Sequence, residues 1–211
     1  MDVIIVGAGG HGKVVLEILR AVGTHKPVGF LDADPSLAGS TVAGLTVLGY
    51  LNALPKIRSK AKGAIVAIGD NRVRVGYARK LREAGFELIN AVHPSAVISP
   101  SATIGQNVVI AANSVIGTAA KIGDSAIINT SAVVDHECEI GEAAHICPAV
   151  ALAGRVRIGE GAFVGIGARV IPCTCVGPHA TVGAGAVIIK DIPANATVVG
   201  VPGRVIKVTP T

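Results

Sequence analysis

The chain has no tryptophan, and aromatic residues make up only 2% of its 211 positions, as two tyrosines and three phenylalanines. Proteins that hold single-stranded nucleic acid stack bases on aromatic rings along a basic groove. Here the rings are missing and the lysines and arginines are scattered. The formal charge of +5 therefore points to anionic small molecules and not to nucleic acid. Long apolar runs are also missing: Val3 to Val6 and Val108 to Ala112 fall far short of the roughly 20 residues a membrane span needs, so no span is expected. Asp2 stands where a secretory signal would carry basic residues, and the chain runs directly into a strand-like segment. A cleaved signal peptide is not expected, and the cytoplasm is. Cys138, Cys147, Cys173 and Cys175 form no C-x2-C pair with matching partners, which argues against zinc or a disulfide framework and for reduced thiols. No metal is expected. A site built from Cys173, Cys175 and His179 is the minor alternative to plain substitution on an outer surface.

What is present is glycine, at 27 residues, with an apolar half dominated by Val, Ile and Ala. Small and β-branched side chains suit stacked β-structure. The chain has two grammars, with a boundary near His93-Pro94, so that residues 1–91 and 92–211 read as separate domains. In the first, Val3 to Val6 reads as a buried parallel strand and Lys13 to Ala21 as a helix with apolar Val14, Val15, Ile18 and Leu19. Further strands are expected at Val28 to Leu31, Ala64 to Ile68 and Glu87 to Ile89, and a second amphipathic helix at Arg72 to Ala84. The sum is a small open α/β sheet, a Rossmann-like half domain.

In the second half an aliphatic residue recurs every six positions from Val92 through Ile98, Ile104 and Ile110 to Ile188, seventeen times without a slip. Four positions after each lies a compact residue, such as Ala96, Ala120, Cys138 or Thr174, and the position just after it is often Gly, as at Gly105, Gly117, Gly123 and Gly141. A chain turning a corner every six residues needs a bulky aliphatic and a compact residue inside each face, and glycine is expected to relax the bend. Three hexads close one triangular coil. The pattern resembles the hexapeptide-repeat proteins, which implies a left-handed parallel β-helix.

On this frame His136, two positions after Val134, points away from the core, and Glu137 is beside it. Histidine titrates near neutrality, so the pair reads as a general base oriented by a carboxylate. Asn129 and His145 lie seven residues before and nine after. Nine is half of an eighteen-residue coil, so His136 and His145 do not stack on one another; any cooperation would cross a subunit seam.

The segment NTSAVVDHECEIGEAAHICPAVALAG is similar to the same region of the sialic acid O-acetyltransferase and nucleotide-sugar 4-amino N-acetyltransferase group. The resemblance implies an acetyl-CoA-dependent transferase in which His136 is the base and Glu137 its acidic partner, with Asn129 and His145 lining the active site. It also implies a homotrimer and a CoA groove along the later coils, at Ala153, Gly154, Gly165, Ile166, Gly183 and the tail GVPGRV from Gly200 to Val205. Each glycine can equally be a corner residue of the coil.

Gly7, Gly9 and Gly12 follow the G-x-G-x-x-G spacing between a strand and a helix, and Asp32 comes twenty residues after Gly12. Taken alone this is a dinucleotide fingerprint, which keeps an NAD-dependent oxidoreductase as the rival class. The same turn holds the phosphates of any nucleotide, and about 90 residues make only half of a doubly wound fold. The family resemblance implies a nucleotide-sugar site here: Gly9, Gly10, His11 and Gly12 on the diphosphate side, Asp32 or Asp34 near base or ribose, and Gly69, Asp70, Asn71 and Arg74 from AIGDNRVR. Arg74 is alternatively a solvated helix residue. The function that follows is acetylation of the C4 amine of a UDP- or GDP-linked 4-amino-4,6-dideoxy sugar, with O-acetylation of a sialic acid as the nearest rival.

Overall fold

A computed structural model describes residues 1–209. The chain divides into two compact units, Met1–Pro94 and Ser95–Thr211.

The first unit is an open sheet. Strands β1 (Asp2–Val6) and β2 (Lys26–Leu31) flank helix α1 (Gly10–Val22) in sequence; a small hairpin β3–β4 (Thr41–Val42, Leu45–Thr46) and a short helix α2 (Leu54–Ile57) precede β5 (Gly63–Val66), and α3 (Asn71–Glu83) leads to β6 (Glu87–Leu88). The sheet order is β2-β1-β5-β6, all parallel. β1 is buried apart from its first residue, as a central strand of a covered sheet should be. Helix α1 stops because Gly23 takes φ +71 and returns its N–H to the Leu19 carbonyl at 3.0 Å, the left-handed stop glycine provides without strain. Helix α3 starts because the Asp70 carboxylate accepts from Val73 N–H at 2.8 Å. The β3–β4 hairpin has no counterpart in the periodicity, since two-residue strands are too short to show one. β5 ends at Val66, not Ile68, which frees Ala67 and Ile68 for the turn beside the site.

The second unit is a three-sided parallel β-helix of two-residue strands, each pairing with the strand eighteen residues on. One face runs Val97, Val115, Val133, Ala151, Arg169, Val187; another runs Thr103, Lys121, Glu139, Arg157, Cys175. From Ile110 onward the hexad aliphatics are buried, and so are the compact partners, including Ser114, Cys138 and Thr174. The chain closes with Ala196–Val199, paired in parallel to the Thr181–Val182 strand, and an antiparallel return at Arg204–Val208. The GVPGRV tail supplies the turn of that return.

The corner glycines have a different cause from the one expected. From Asn107 to Gly185 the left-handed residue of each corner is the third after the aliphatic, and it is usually not glycine: Asn107, Ala119, Glu137, Arg155 and Cys173 all take φ between 55 and 62. The glycine directly after the aliphatic is required by the coil above it. A Cβ on Gly117 would sit 2.7 Å from His136 N, and one on Gly141 2.5 Å from Glu160 N. Glycine there permits close stacking of backbone on backbone.

Candidate active site

In the first unit the turn from β1 to α1 is packed to its limit. Gly7 takes φ +106, and Gly12 lies against the Gly7 carbonyl so closely that no side chain fits. No side chain caps α1, so the positive end of its dipole is left for a ligand. Asp32, at the end of β2, braces the turn: one carboxylate oxygen accepts from Ala8 N–H at 2.7 Å, the other from Asp34 N–H at 2.9 Å. Beside this turn is a cavity of about 390 Å³ lined by Gly9, Gly10, His11, Asp32 and Gly69 among the expected residues, and also by Tyr50 and Tyr77.

Five expected residues lie outside that lining, among them Asp70, which caps α3. Gly12 packs on Gly7; Asp34 caps the short turn Pro35–Leu37 by accepting from the N–H and hydroxyl of Ser36. Asn71 accepts from Arg74 Nη2 at 2.7 Å. Arg74 is not solvated: it is fully buried, and its Nη1 donates to the carbonyls of Ile68 at 2.8 Å and Gly69 at 3.0 Å. It anchors the turn at Gly69 from behind. Burial lowers its pKa to about 10, with Asp70 opposing. The guanidinium acts in turn on His11, whose pKa falls to about 4, first through burial and then through Arg74. His11 is neutral at pH 7, and its buried Nε2 has no hydrogen-bond partner. It lines the cavity as an uncharged ring.

In the second unit His136 and Glu137 occupy the corner after the strand Val133–Val134. His136 is exposed, and its N–H donates to Asp135 Oδ1 at 2.7 Å. Its Nδ1 lies 3.1 Å from Glu137 Oε2, and Arg155 Nε donates to the same oxygen at 3.0 Å. The Arg155 hydrogen bond, and after it that of His136, hold the Glu137 carboxyl below its usual range, so it is an anion at neutral pH. With Glu137 accepting from Nδ1–H, the lone pair is on Nε2, as a base requires. Gly154, one coil on, backs the ring: a Cβ there would overlap Nε2. The buried Cys138 thiol donates to the adjacent Ala153 carbonyl at 3.1 Å.

Asn129 and His145 form a second cluster, on another corner and its adjoining face. Asn129 Nδ2 is 3.2 Å from His145 Nε2, and Phe163 meets the His145 ring edge-on at a centroid distance of 5.3 Å. Gly165, Ile166 and Gly183 belong to the corner of Asn129. Gly165 and Gly183 are fixed by coil stacking, since a Cβ would meet Val182 O or Val199 Cγ1 at 2.7 Å, whereas Ile166 is 56% exposed. The predicted residues thus fall into two groups on different corners, one with His136, Glu137, Ala153 and Gly154, the other with Asn129, His145, Gly165, Ile166 and Gly183. Among the described residues no group of three His, Cys, Asp or Glu is placed to hold a metal ion.

Comparison with known proteins gives this geometry a family. Residues 2–81 match the PglD N-terminal domain. A stretch of 113 residues is 37% identical to the UDP-N-acetylbacillosamine N-acetyltransferase of Bacillus subtilis (strain 168), covering 53% of this chain and about half, 51%, of that protein. A variant of perosamine N-acetyltransferase from Caulobacter crescentus, solved with CoA and GDP-perosamine, is similar over 98% of this chain and 97% of its own, at 48% identity and a TM-score of 0.94. The chain belongs to the nucleotide-sugar N-acetyltransferases. The acetyltransferase domain of PglB from Neisseria gonorrhoeae FA1090, in complex with acetyl coenzyme A, is similar over 97% of this chain and 98% of its own, at 40% identity and a TM-score of 0.92. The β-helix of this N-acetyltransferase is accordingly the left-handed form of the hexapeptide-repeat acetyltransferases. Three residues of its sites escaped the sequence reading. Tyr50 and Tyr77 are the only tyrosines of the chain, and their rarity was the available signal. Arg155 was legible as Glu137 plus one eighteen-residue coil.

Proposed function

We propose that this acetyltransferase moves the acetyl group of acetyl-CoA onto the C4 amine of a UDP- or GDP-linked 4-amino-4,6-dideoxy sugar, with His136 as general base. The observation that carries this reading is the His136–Glu137 pair, an imidazole tied at Nδ1 to a carboxylate and presented on an exposed corner. As the amine nitrogen bonds to the thioester carbonyl carbon, Nε2 of His136 takes a proton from it. When the C–S bond breaks, that proton returns to the CoA thiolate, leaving amide and free thiol. A backbone N–H is suited to hold the carbonyl oxygen as charge develops there. The Caulobacter structures, which hold CoA and GDP-perosamine, support a nucleotide-linked amino sugar and CoA as the ligands; they include variants with one histidine changed to Asn or to Ala.

The first unit suits the nucleotide. Its cavity lies within the range of small-ligand sites; the uncapped start of α1 and the buried Arg74 favour phosphate, and Tyr50 and Tyr77 give a base something to pack on. The two groups on separate corners of the β-helix support a homotrimer in which one chain's His136 corner meets the Asn129–His145 corner of another. Exposed Ile166 then contacts the pantetheine arm. Four unpaired cysteines suit the reducing cytoplasm.

Acetyl-CoA consumption measured with UDP-, GDP- and dTDP-linked 4-amino sugars and with free sialic acid tests the reading. Turnover with a 4-amino nucleotide sugar is expected, and silence with all of those sugars sinks it. Turnover only with sialic acid selects the O-acetyltransferase, and stabilisation by NAD(H) but not by CoA selects the oxidoreductase.

A further inference from the structure

We propose that Arg155 is a positioning residue for His136, acting through Glu137. The inference rests on the reading of His136 as the base and names what holds it in its working form.

The eighteen-residue register puts Arg155 directly beside Glu137. Both are the left-handed residues of their corners, with φ 56 and 62, and the Arg155 N–H donates to the His136 carbonyl at 2.9 Å. Their side chains therefore leave parallel stretches of backbone in the same direction. Both partners of the carboxylate converge on one atom, Oε2, with His136 Nδ1 at 3.1 Å and Arg155 Nε at 3.0 Å. The side chains of Glu137 and Arg155 are 48% and 62% exposed, and an ion pair so exposed adds little to stability. Its effect is geometric. A half-exposed glutamate with only a neutral imidazole to bind samples several rotamers; the guanidinium removes that freedom and keeps Oε2 opposite Nδ1.

Among the surrounding groups Glu137 is the main partner of Arg155. Glu139, on the next face, is held by Lys121 at 3.1 Å and Arg157 at 3.7 Å. Asp135 is occupied by the His136 backbone N–H, and Cys173, one coil beyond Arg155 on its far side from Glu137, is a second and lesser partner of the guanidinium. Arg155 has a second consequence. By balancing the Glu137 charge it weakens the pull of that carboxylate on an imidazolium, so that a proton taken from the amine can be given up to the thiolate.

The test uses the full chain with Arg155→Met and Arg155→Lys. Imidazole ¹⁵N spectra, with the His136 signals assigned through His136→Gln, read the tautomer without reference to activity. The native protein is expected to show the Nδ1–H form, Arg155→Met to add the Nε2–H form, and Arg155→Lys to lie between. In turnover, Arg155→Met is expected to lower kcat roughly tenfold, a fraction of what a general base supplies, with KM for acetyl-CoA within about twofold. The acid limb of kcat/KM is expected to move to higher pH. Adding Arg155→Met to Glu137→Gln should cost nothing further, because the path is already cut. An unchanged tautomer population in Arg155→Met overturns the inference whether or not acetyl transfer is found. Unchanged spectra and kcat in Arg155→Met, with His136→Ala inactive, overturn it alone and leave the proposed function standing.

Discussion

At the residue scale the proposed base, His136, is shaped as much by what is missing beside it as by its partners. Gly154 has no side chain where one would strike the imidazole, while Gly141 has none where one would strike the backbone of the next coil. The two alanine substitutions therefore separate chemistry from folding. Gly154→Ala is expected to lower kcat while leaving the melting temperature near that of the native protein. Gly141→Ala is expected to lose about 1–3 kcal/mol, as overpacking does, and to show it as a lower urea midpoint. His136→Ala is expected to keep its affinity for CoA in calorimetry and to lose roughly 10²-fold or more in turnover; unchanged turnover removes it as the base. The hexad count placed Val134 inside and His136 outside because burial alternates with a fixed period. It misread the glycines because their constraint comes from a strand eighteen residues away, and it passed over Arg155 for the same reason.

At the scale of elements, α1, the Asp32 brace and α3 act together through Arg74, which ties the turn at Gly69 and bears on His11. The pH dependence follows. His11 titrates at about 4 in the folded unit against about 6.5 in an unfolded chain. Between those values the unfolded chain binds a proton that the folded one does not, so stability falls as pH drops from about 6.5 to about 4. His11→Gln should flatten this slope. Tyrosine fluorescence during urea unfolding measures it, because Tyr50 and Tyr77 both belong to the first unit and the chain has no tryptophan. Equal slopes in the two proteins would remove His11 as the cause. The glycine spacing made this turn legible, but the cavity was not, since Tyr50 and Tyr77 come from segments with no periodicity to mark them.

At the scale of the whole molecule, the separation of the predicted residues onto two corners sets the expectation for assembly. Light scattering should report a trimer. Chains carrying His136→Ala and chains carrying His145→Ala are each expected to be poorly active, and trimers reconstituted from both to regain turnover, since some sites then combine an intact corner from each. No recovery would place the working site within one chain. The fold class of the second half was fully legible because a β-helix writes its geometry as a strict period. No such period marks a partner for either corner, because nothing in one chain's repeat specifies where a neighbouring chain would stand.

The eighteen-residue coil also makes the β-helix a ruler with a modulus. Removing one whole coil upstream of Asn129 would shorten the prism and return every later side chain to the corner it already holds. Removing a single hexad would carry His136, Glu137 and Arg155 together one face onward, with their mutual contacts kept and the proposed meeting with a neighbouring chain lost. Length variation in this half of the molecule is thus tolerated in steps of three hexads and punished in steps of one, a rule set by the closure of the triangle and not by the chemistry it supports.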